Sequence, residues 1–229
     1  MFDFDAFSYR YPSHRGLVYA RRGMVATSQP LAAQAGLDML KKGGNAVDAA
    51  VAAAACMTVV EPAQNGLGSD SFTQVWMNGK LYGLNASGYS PKSLDAETLR
   101  RMGYEKMPVR GWAPVMVPGA VAGWAALSER FGKLPFEELL KPAIDYAEKG
   151  YAVTPVISRL WKQGYDLFAE REGDEFRPWA KTFAPKGHAP KPGEVWSCPD
   201  MGRTLRLIAE TKGEAFYRGE LAEAIDACS

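Results

Sequence analysis

The chain has 229 residues, and 27 Lys and Arg against 26 Asp and Glu give it a formal charge of +1. This balance excludes nucleic acid or an acidic membrane surface as the default partner, because both select a surplus of cationic side chains. Hydrophobic residues make up 47% and charged residues 23%, which is typical of a soluble globular domain and excludes disorder.

The N-terminus and the longest apolar stretch indicate a cytoplasmic protein. Residues 1–5 carry two acids where a secretory signal carries Lys or Arg, so no signal peptide is expected. The longest apolar stretch, Ala49 to Val60, falls far short of the roughly 18 residues that span a membrane. We therefore expect no membrane segment and no contact with a membrane.

Two helices are predicted after residue 27. Ser28 can cap the first helix, Pro30 suits its first turn, and Gly43-Gly44 ends it. Asn45 can cap the second helix, which is predicted from Ala46 to about Thr58 and is alanine-rich on every face. A helix without a polar face is usually buried, and so short a linker makes the two helices antiparallel.

A β-hairpin is predicted next, after a glycine-containing loop at 61–70. Two strand-like runs, 72–77 and 80–84, flank Asn78-Gly79. This is the strongest short-range signal for a hairpin, because both residues of such a turn tolerate positive φ.

Apolar residues at helical spacing predict further helices in the rest of the chain. Pro142 lies inside one of them, so this helix is expected to be kinked or divided there. The Pro- and Gly-rich stretch 177–196 is expected to be a long surface excursion. The predicted helices are 93–102, 120–131, 136–149, one that begins at Thr154-Pro155, 199–212 and 220–228.

The last predicted helix has neither a glycine cap nor a basic last turn before the chain stops at Ser229. A helix that ends because the polypeptide ends is more often a fragment boundary than a native terminus. We therefore expect the chain to be a truncated part of a longer protein.

Common catalytic and ligand-binding motifs are absent from the sequence. There is no Gly-x-Ser-x-Gly elbow and no phosphate-binding loop, and Gly66-Leu67-Gly68 lacks the third glycine of a dinucleotide fingerprint. His14 and His188 each stand alone in a loop and are expected at the surface, while Cys56 is expected to be a small buried apolar residue. The residues alone therefore predict a helix-rich mixed protein with no metal, no cofactor and no visible active site.

The run Gly43-Gly44-Asn45-Ala46-Val47-Asp48-Ala49-Ala50, with Gly23 to Ser28 before it, resembles the N-terminal signature of the gamma-glutamyltranspeptidase family. The resemblance covers nearly the whole chain past residue 16 and keeps its order. It continues through Glu61-Pro62, 65–68, 117–124, 131–135, 142–151 and 216–219.

The resemblance implies an α+β protein with the four-layer αββα fold of the N-terminal nucleophile (Ntn) hydrolases. This chain is then an incomplete form of the fold, with the helix-rich part and a hairpin of the central sheet. Residues 1–229 are expected to form a single domain, the N-terminal portion of the large subunit. Such proenzymes cut themselves into two subunits, and the new N-terminal threonine of the small subunit is the nucleophile, with its own amine as base.

The implied substrates are gamma-glutamyl amides such as glutathione, whereas some relatives cleave cephalosporin side-chain amides or small amides such as oxamate. The implied partners are a small-molecule amide and the small catalytic subunit, and no cofactor is implied. The nucleophile is expected downstream of Ser229, so the hypothesis is that this chain alone is inactive. No threonine of this chain has the neighbouring sequence that the family's catalytic threonine has. The threonines are Thr27, Thr58, Thr73, Thr98, Thr154, Thr182, Thr204 and Thr211.

One departure from the family bears on the substrate. Gamma-glutamyl enzymes use a large-subunit arginine just after the second hairpin strand to hold the substrate's α-carboxylate bidentately. Ser87 takes this place here, in Leu84-Asn85-Ala86-Ser87-Gly88, and carries no charge. Both Ser87 and Arg110 are candidate substrate-binding residues, Arg110 as a replacement cation from another loop or merely as an exposed arginine. The loss of the clamp favours the acylase-like or small-amide branch.

A protein of another class is the alternative: a non-catalytic helical interaction protein or a degenerate member of the family. It explains the missing nucleophile without a truncation. Hydrolysis and acyl transfer both stay open, as do gamma-glutamyl, cephalosporin-type and other small amides as substrates.

Overall fold

The computed structural model describes residues 17–168, 171 and 176–228, so His14 and residues 1–5 lie outside the described part. No helix in these ranges is long and apolar enough to cross a membrane. The helices are α1 (Pro30–Lys41), α2 (Ala46–Val60), α3 (Ala96–Arg101), α4 (Ala120–Phe131), α5 (Phe136–Lys149), α6 (Pro155–Phe168), α7 (Arg177–Phe183), α8 (Pro199–Thr211), α9 (Glu214–Arg218) and α10 (Glu220–Cys228). The strands are β1 (Ser71–Met77), β2 (Lys80–Ala86), β3 (Tyr151–Ala152) and β4 (Val195–Trp196).

Helix α1 begins one residue later than a Ser28 cap would require. Gln29 is the N-cap, because its side-chain oxygen accepts from the backbone N–H of Leu31 at 3.3 Å. Its amide donates to the carbonyl of Val60 at 3.3 Å, so Gln29 is buried without an unpaired amide. Ser28 instead donates to the buried carboxylate of Glu61 at 2.7 Å. These bonds tie the start of α1 to the end of α2.

Helix α2 lies in the centre of the core, as its alanine-rich sequence predicts, and packs against α1, α4 and α5. The small side chains allow these neighbours to approach closely. Cys56 is fully buried on α2, and this burial raises the pKa of its thiol to about 12. The interpretation of Cys56 as a small apolar residue is confirmed, because a thiol with this pKa is not a nucleophile near neutral pH.

The predicted hairpin is confirmed, with antiparallel pairing from Ser71 opposite Ala86 to Met77 opposite Lys80. Asn78 and Gly79 both have positive φ, 53° and 76°, as the tight turn requires. Alternate side chains pack against the core, and the outer face carries Phe72, Trp76 and Leu81, which are 68%, 71% and 56% exposed. The hairpin therefore presents one apolar face that the described residues do not cover.

Most residues from 178 to 196 are exposed or half-buried, as predicted for the surface excursion 177–196, but that stretch also contains regular structure. It contains α7 and then β4, which pairs with β3 through Trp196 opposite Tyr151. Packing between aromatic rings explains why this stretch forms regular structure. The ring centroid of Trp161 lies 4.9 Å from that of Trp196 and 6.1 Å from that of Phe183. His188, in the same stretch, is exposed as predicted.

Helix α5 is a single helix with Pro142 inside it, so of the two predicted alternatives, a kink or a division into two helices, the division is wrong. Its apolar side packs against α2 and α8. A proline removes one backbone hydrogen bond from a helix, and burial of the apolar side offsets that loss.

Candidate functional site

Ser87 lies on a loop that leaves the end of β2 and passes directly over the segment before α4. A Cβ on Gly88 would lie 1.8 Å from the carbonyl oxygen of Val117, and one on Gly119 would lie 2.1 Å from that of Ala86. Such contacts are impossible for a side chain, so only glycine permits this approach of the two backbones. The N–H of Val117 also donates to the carbonyl of Tyr89 at 2.9 Å. The position of Ser87 is therefore fixed by backbone contacts on both sides.

Ser87 itself is half-buried beside a cleft of about 470 Å³. Its backbone N–H donates to Asn85 Oδ1 at 3.0 Å, whereas its hydroxyl has no hydrogen-bond partner among the described residues. The side chains that line this cleft, called the Ser87 cleft below, are small, apolar or neutral. They belong to Leu84, Asn85, Ala86, Ser87, Tyr89, Val117, Pro118, Ala122, Ala126 and Tyr217.

Arg110 lies away from the Ser87 cleft and is not among its lining residues. Its exposed guanidinium lies 6.0 Å from the centroid of the Phe168 ring, at the end of α6. This is a cation–π distance, and such a contact at an exposed site contributes about 0.5–1 kcal/mol. The structure thus gives Arg110 a partner of its own and does not bring it together with Ser87. A role for either residue in substrate binding stays a prediction.

Tyr217 is a positioning residue at this site that reasoning from residue types missed. Its hydroxyl donates to the carbonyl of Pro118 at 2.8 Å and accepts from the N–H of Ala122 at 3.0 Å. It thereby caps the first turn of α4, where no side chain of the N-cap Gly119 is available. Partial burial raises the pKa of the phenol. The only signal in the sequence is the family motif Phe216-Tyr217-Arg218-Gly219.

We expect Tyr217→Phe to lower the free energy of unfolding by about 1–2 kcal/mol, because one backbone donor and one backbone acceptor lose their partner. Urea denaturation followed by circular dichroism measures this change. Tyr89→Phe is the matched control, since Tyr89 is 84% exposed and lines the same cleft; it should cost less than 0.5 kcal/mol. Equal effects of the two variants would contradict the bridging role.

The most specific motif of the sequence, Gly43 to Ala50, has a structural role. Asn45 accepts from the N–H groups of Val47 and Asp48, and its amide donates to the carbonyl of Phe131. The fully buried Asp48 accepts from the N–H of Asn45 at 2.8 Å and from that of Lys133 at 3.1 Å. One capping box thus joins the start of α2 to the loop between α4 and α5.

A second, larger groove of about 730 Å³ follows one side of α2 and is called the α2 groove. Its lining includes the segment 22–27, residues 65, 66, 69 and 70 of the loop before β1, and Ser71 at the start of β1. Its floor is formed by small residues of α2: Ala46, Ala49, Ala50, Ala53 and Ala54. The groove has room for a further element of structure, and its lining also contains polar side chains, among them Arg22, Asn65 and Asp70.

A family model described as gamma-glutamyltranspeptidase matches residues 32–228. The chain is 38% identical over 214 residues to the glutathione hydrolase-like YwrD proenzyme of Bacillus subtilis (strain 168), covering 91% of this chain and 39% of that protein. It is 34% identical over 216 residues to the acylase ACY 1 proenzyme of Pseudomonas sp. (strain SE83), covering 89% and 38%.

Solved structures agree with these matches. The structure of a cephalosporin acylase from Bacillus halodurans superposes with a TM-score of 0.92 at 56% identity, covering 98% of this chain and 42% of that chain. The Helicobacter pylori gamma-glutamyltranspeptidase gives a TM-score of 0.83 at 30% identity, covering 92% and 60%. The chain spans about two fifths of the length of the curated relatives named above.

The fold prediction is confirmed by these neighbours. The described residues form the helix-rich part of the Ntn-hydrolase fold with a two-stranded hairpin, in an α+β arrangement. Acylases stand beside glutathione hydrolases among the relatives, as the predicted acylase-like branch requires. The chain belongs to the gamma-glutamyltranspeptidase family.

Proposed function

We propose that the chain is the N-terminal portion of the large subunit of an amidohydrolase or acyltransferase proenzyme, with residues 1–229 as a single domain. The enzyme cleaves small acyl amides through an N-terminal threonine on polypeptide downstream of Ser229. The small catalytic subunit and an amide substrate are its partners, no cofactor takes part, and the cytoplasm is its compartment. The family match over residues 32–228 supports this reaction class.

The observation that carries the choice of substrate is the uncharged surrounding of Ser87. A γ-glutamyl group brings an α-carboxylate into the site, and a buried carboxylate needs a charged or multiply hydrogen-bonded partner. Ser87 offers one neutral hydroxyl, and none of the described residues that line the Ser87 cleft carries a charged side chain. We therefore propose that a neutral or side-chain-type acyl group is preferred over γ-glutamyl, as in the acylase-like and small-amide branch.

Arg110 is proposed only as a secondary contact. To bind a substrate, the Arg110 guanidinium has to leave the ring of Phe168. The free-energy cost of this movement is about as large as the contribution of the cation–π contact. Replacement of Arg110 should therefore affect substrate binding less than replacement of Ser87.

Ser87→Arg is expected to raise kcat/KM for a γ-glutamyl anilide about 30-fold in the full-length enzyme. Two charge-assisted hydrogen bonds of about 1.5–3 kcal/mol each, less up to about 2 kcal/mol of arginine rotamer entropy, leave about 1–4 kcal/mol, and about 2 kcal/mol within that range corresponds to 30-fold. The measurement compares γ-glutamyl and acetyl anilides under the same conditions, since the acetyl group lacks the carboxylate. Ser87→Met is the control, since it adds length without charge. A gain for Met as large as for Arg, or no gain for Arg, would show that the clamp lies elsewhere.

The chain alone is expected to show no hydrolysis of any of these anilides above background, whereas the full-length precursor should hydrolyse at least one after self-cleavage. The reason is that the reaction needs a hydroxyl nucleophile with an adjacent amine as base. Turnover by the chain alone would overturn the assignment of the nucleophile. A full-length protein that neither cleaves itself nor hydrolyses an anilide would favour the non-catalytic alternative.

A further inference from the structure

An apolar cavity of about 480 Å³ lies next to the Ser87 cleft and is called the Trp112 groove below. It is formed by the segment after β2, the loop before α4 and the helices α9 and α10. Asp226 is the one charged residue among the described residues that line it. The apolar side chains of its lining include those of Leu94, Met102, Trp112, Val115, Met116 and Ile225.

The apolar side chains of the Trp112 groove are partly open to solvent. Five of them are between 39% and 54% exposed, namely Met102, Trp112, Val115, Met116 and Ile225. Single exposed apolar residues are ordinary on a protein surface, but several in one cavity of this size are typical of a site for an apolar ligand group. Two of the five are methionines, whose flexible side chains adapt to apolar groups of different shape.

The Trp112 groove and the Ser87 cleft share a wall. Val117, Pro118 and Tyr217 line both cavities. The segment that leaves β2 also passes from one to the other, since Tyr89 lines the cleft and Pro91, two residues later, lines the groove. A ligand bound in the Ser87 cleft therefore has an apolar cavity directly beside it.

The position of Ser87 indicates which part of a substrate comes near the Trp112 groove. Ser87 takes the place at which γ-glutamyl enzymes hold the α-carboxylate, and this carboxylate is at the end of the acyl group remote from the amide bond that is cleaved. An acyl chain longer than glutamyl extends beyond this point. The neighbouring space is apolar, so it suits a hydrocarbon chain and not a charged end group.

We propose that the Trp112 groove binds the apolar end of the acyl chain, so that the preferred substrates are amides of medium-chain acyl groups such as octanoyl. This inference rests on the proposed amidohydrolase and adds the class of acyl group that it accepts. In hydrolysis the amide C–N bond breaks, the hydroxyl of water goes to the acyl carbon and its hydrogen goes to the amine. Each methylene that becomes fully buried in the groove should raise kcat/KM about fourfold.

A series of acyl anilides tests the groove in the self-cleaved, full-length enzyme. We expect kcat/KM to rise at least about 10-fold from butyryl through hexanoyl to octanoyl anilide, because the later methylenes enter the groove. A series that is flat, or that falls with chain length, would overturn the proposal.

Two valines of the same loop provide a matched pair of variants. Val115→Asp puts a carboxylate into the groove and should lower the octanoyl-to-acetyl ratio of kcat/KM at least about 10-fold. Val109→Asp is the control, since Val109 is 82% exposed and lies outside the groove; its ratio should stay within about twofold of the unchanged enzyme. An equal fall in both variants, or no fall in either, would contradict a role for the groove.

Binding of 2-nonanone measures the groove without turnover, because this ketone carries the heptyl chain of octanoyl but no amide bond. In calorimetric titrations of the full-length protein, we expect Val115→Asp to raise the Kd at least about 10-fold and Val109→Asp to change it less than about twofold. The absence of saturable binding would overturn the proposal. A protein that hydrolyses acetyl anilide but shows a flat series refutes the groove alone. One that binds 2-nonanone with this dependence on Val115 but hydrolyses no anilide refutes the proposed function alone.

Discussion

Replacing Asp48 by alanine is expected to lower the free energy of unfolding by about 4 kcal/mol, a large part of the 5–15 kcal/mol that stabilises a typical domain. The carboxylate accepts from the N–H groups of Asn45, Lys133 and Leu134, the last at 3.4 Å. Alanine leaves these donors without an acceptor, and each unsatisfied buried donor costs about 1–3 kcal/mol. The effect should appear as a lower urea midpoint and a lower soluble yield.

Two further variants separate the hydrogen bonds of Asp48 from its charge and from general sensitivity to mutation. Asp48→Asn keeps the shape and one acceptor oxygen but turns an NH2 group towards N–H donors, so it should cost less than alanine without being neutral. Asp145→Ala is the matched control, since Asp145 is exposed and forms an ion pair with Lys149 on the surface of α5; it should cost less than about 1 kcal/mol. If Asp48→Ala matches Asp145→Ala, the capping box does not hold the two loops together.

The sequence predicts those elements whose causes are local. Asn78-Gly79 specifies its own turn, and Asn45 caps α2 within three residues, so the hairpin and the start of the central helix are both found. The small size and uniform apolarity of the α2 side chains likewise indicate burial before any partner is known.

The elements that were missed depend on residues far apart in the sequence. Helix α7 lies in a Pro- and Gly-rich stretch, and the contacts of Phe183 with Trp161 hold this helix in place. The role of Asp48 was missed for the same reason, because its acceptor function is completed by Lys133, 85 residues away. Tyr217 contacts Pro118 across an even longer separation.

The candidate site shows the same difference between features that the sequence predicts and features that depend on residues far apart in the chain. Resemblance alone pointed to Ser87, and the structure adds that backbone contacts hold its loop and that the Ser87 cleft is uncharged. The sequence position of Arg110 predicts a replacement cation, whereas its contact with Phe168 joins residues far apart in the chain and cannot be derived from local spacing. The nucleophile is outside the chain in the proposed enzyme, so neither sequence nor structure of these residues can supply it.

Gly88→Ala is expected to cost about 4 kcal/mol in stability and to remove most of the proposed amidase activity, measured in the full-length protein. Two effects add at this position. Gly88 has φ of +81°, which costs a side-chain-bearing residue about 1–2 kcal/mol. The new Cβ would also lie 1.8 Å from the carbonyl oxygen of Val117, so the two backbones must move apart. This movement breaks the contact that fixes Ser87.

Two other glycines of the hairpin region separate these effects. Gly79 has a similar φ of +76° but nothing within 4 Å of an added Cβ, so Gly79→Ala measures the backbone cost alone, about 1–2 kcal/mol. Gly83 lies in β2 with open space around an added Cβ and no positive φ, so Gly83→Ala should be nearly neutral. The predicted order of destabilisation is Gly88, Gly79, Gly83, measured by urea denaturation.

The kinetic pattern decides whether the close contact also serves the proposed reaction. If the loop positions Ser87 against the acyl group, Gly88→Ala lowers kcat/KM at temperatures where the protein is still folded, while Gly79→Ala leaves it unchanged. A loss of stability without a loss of kcat/KM would mean that the backbone contact between residues 86–89 and 117–119 is only structural. In that case Ser87 does not contact the substrate, because its loop could shift without consequence for turnover.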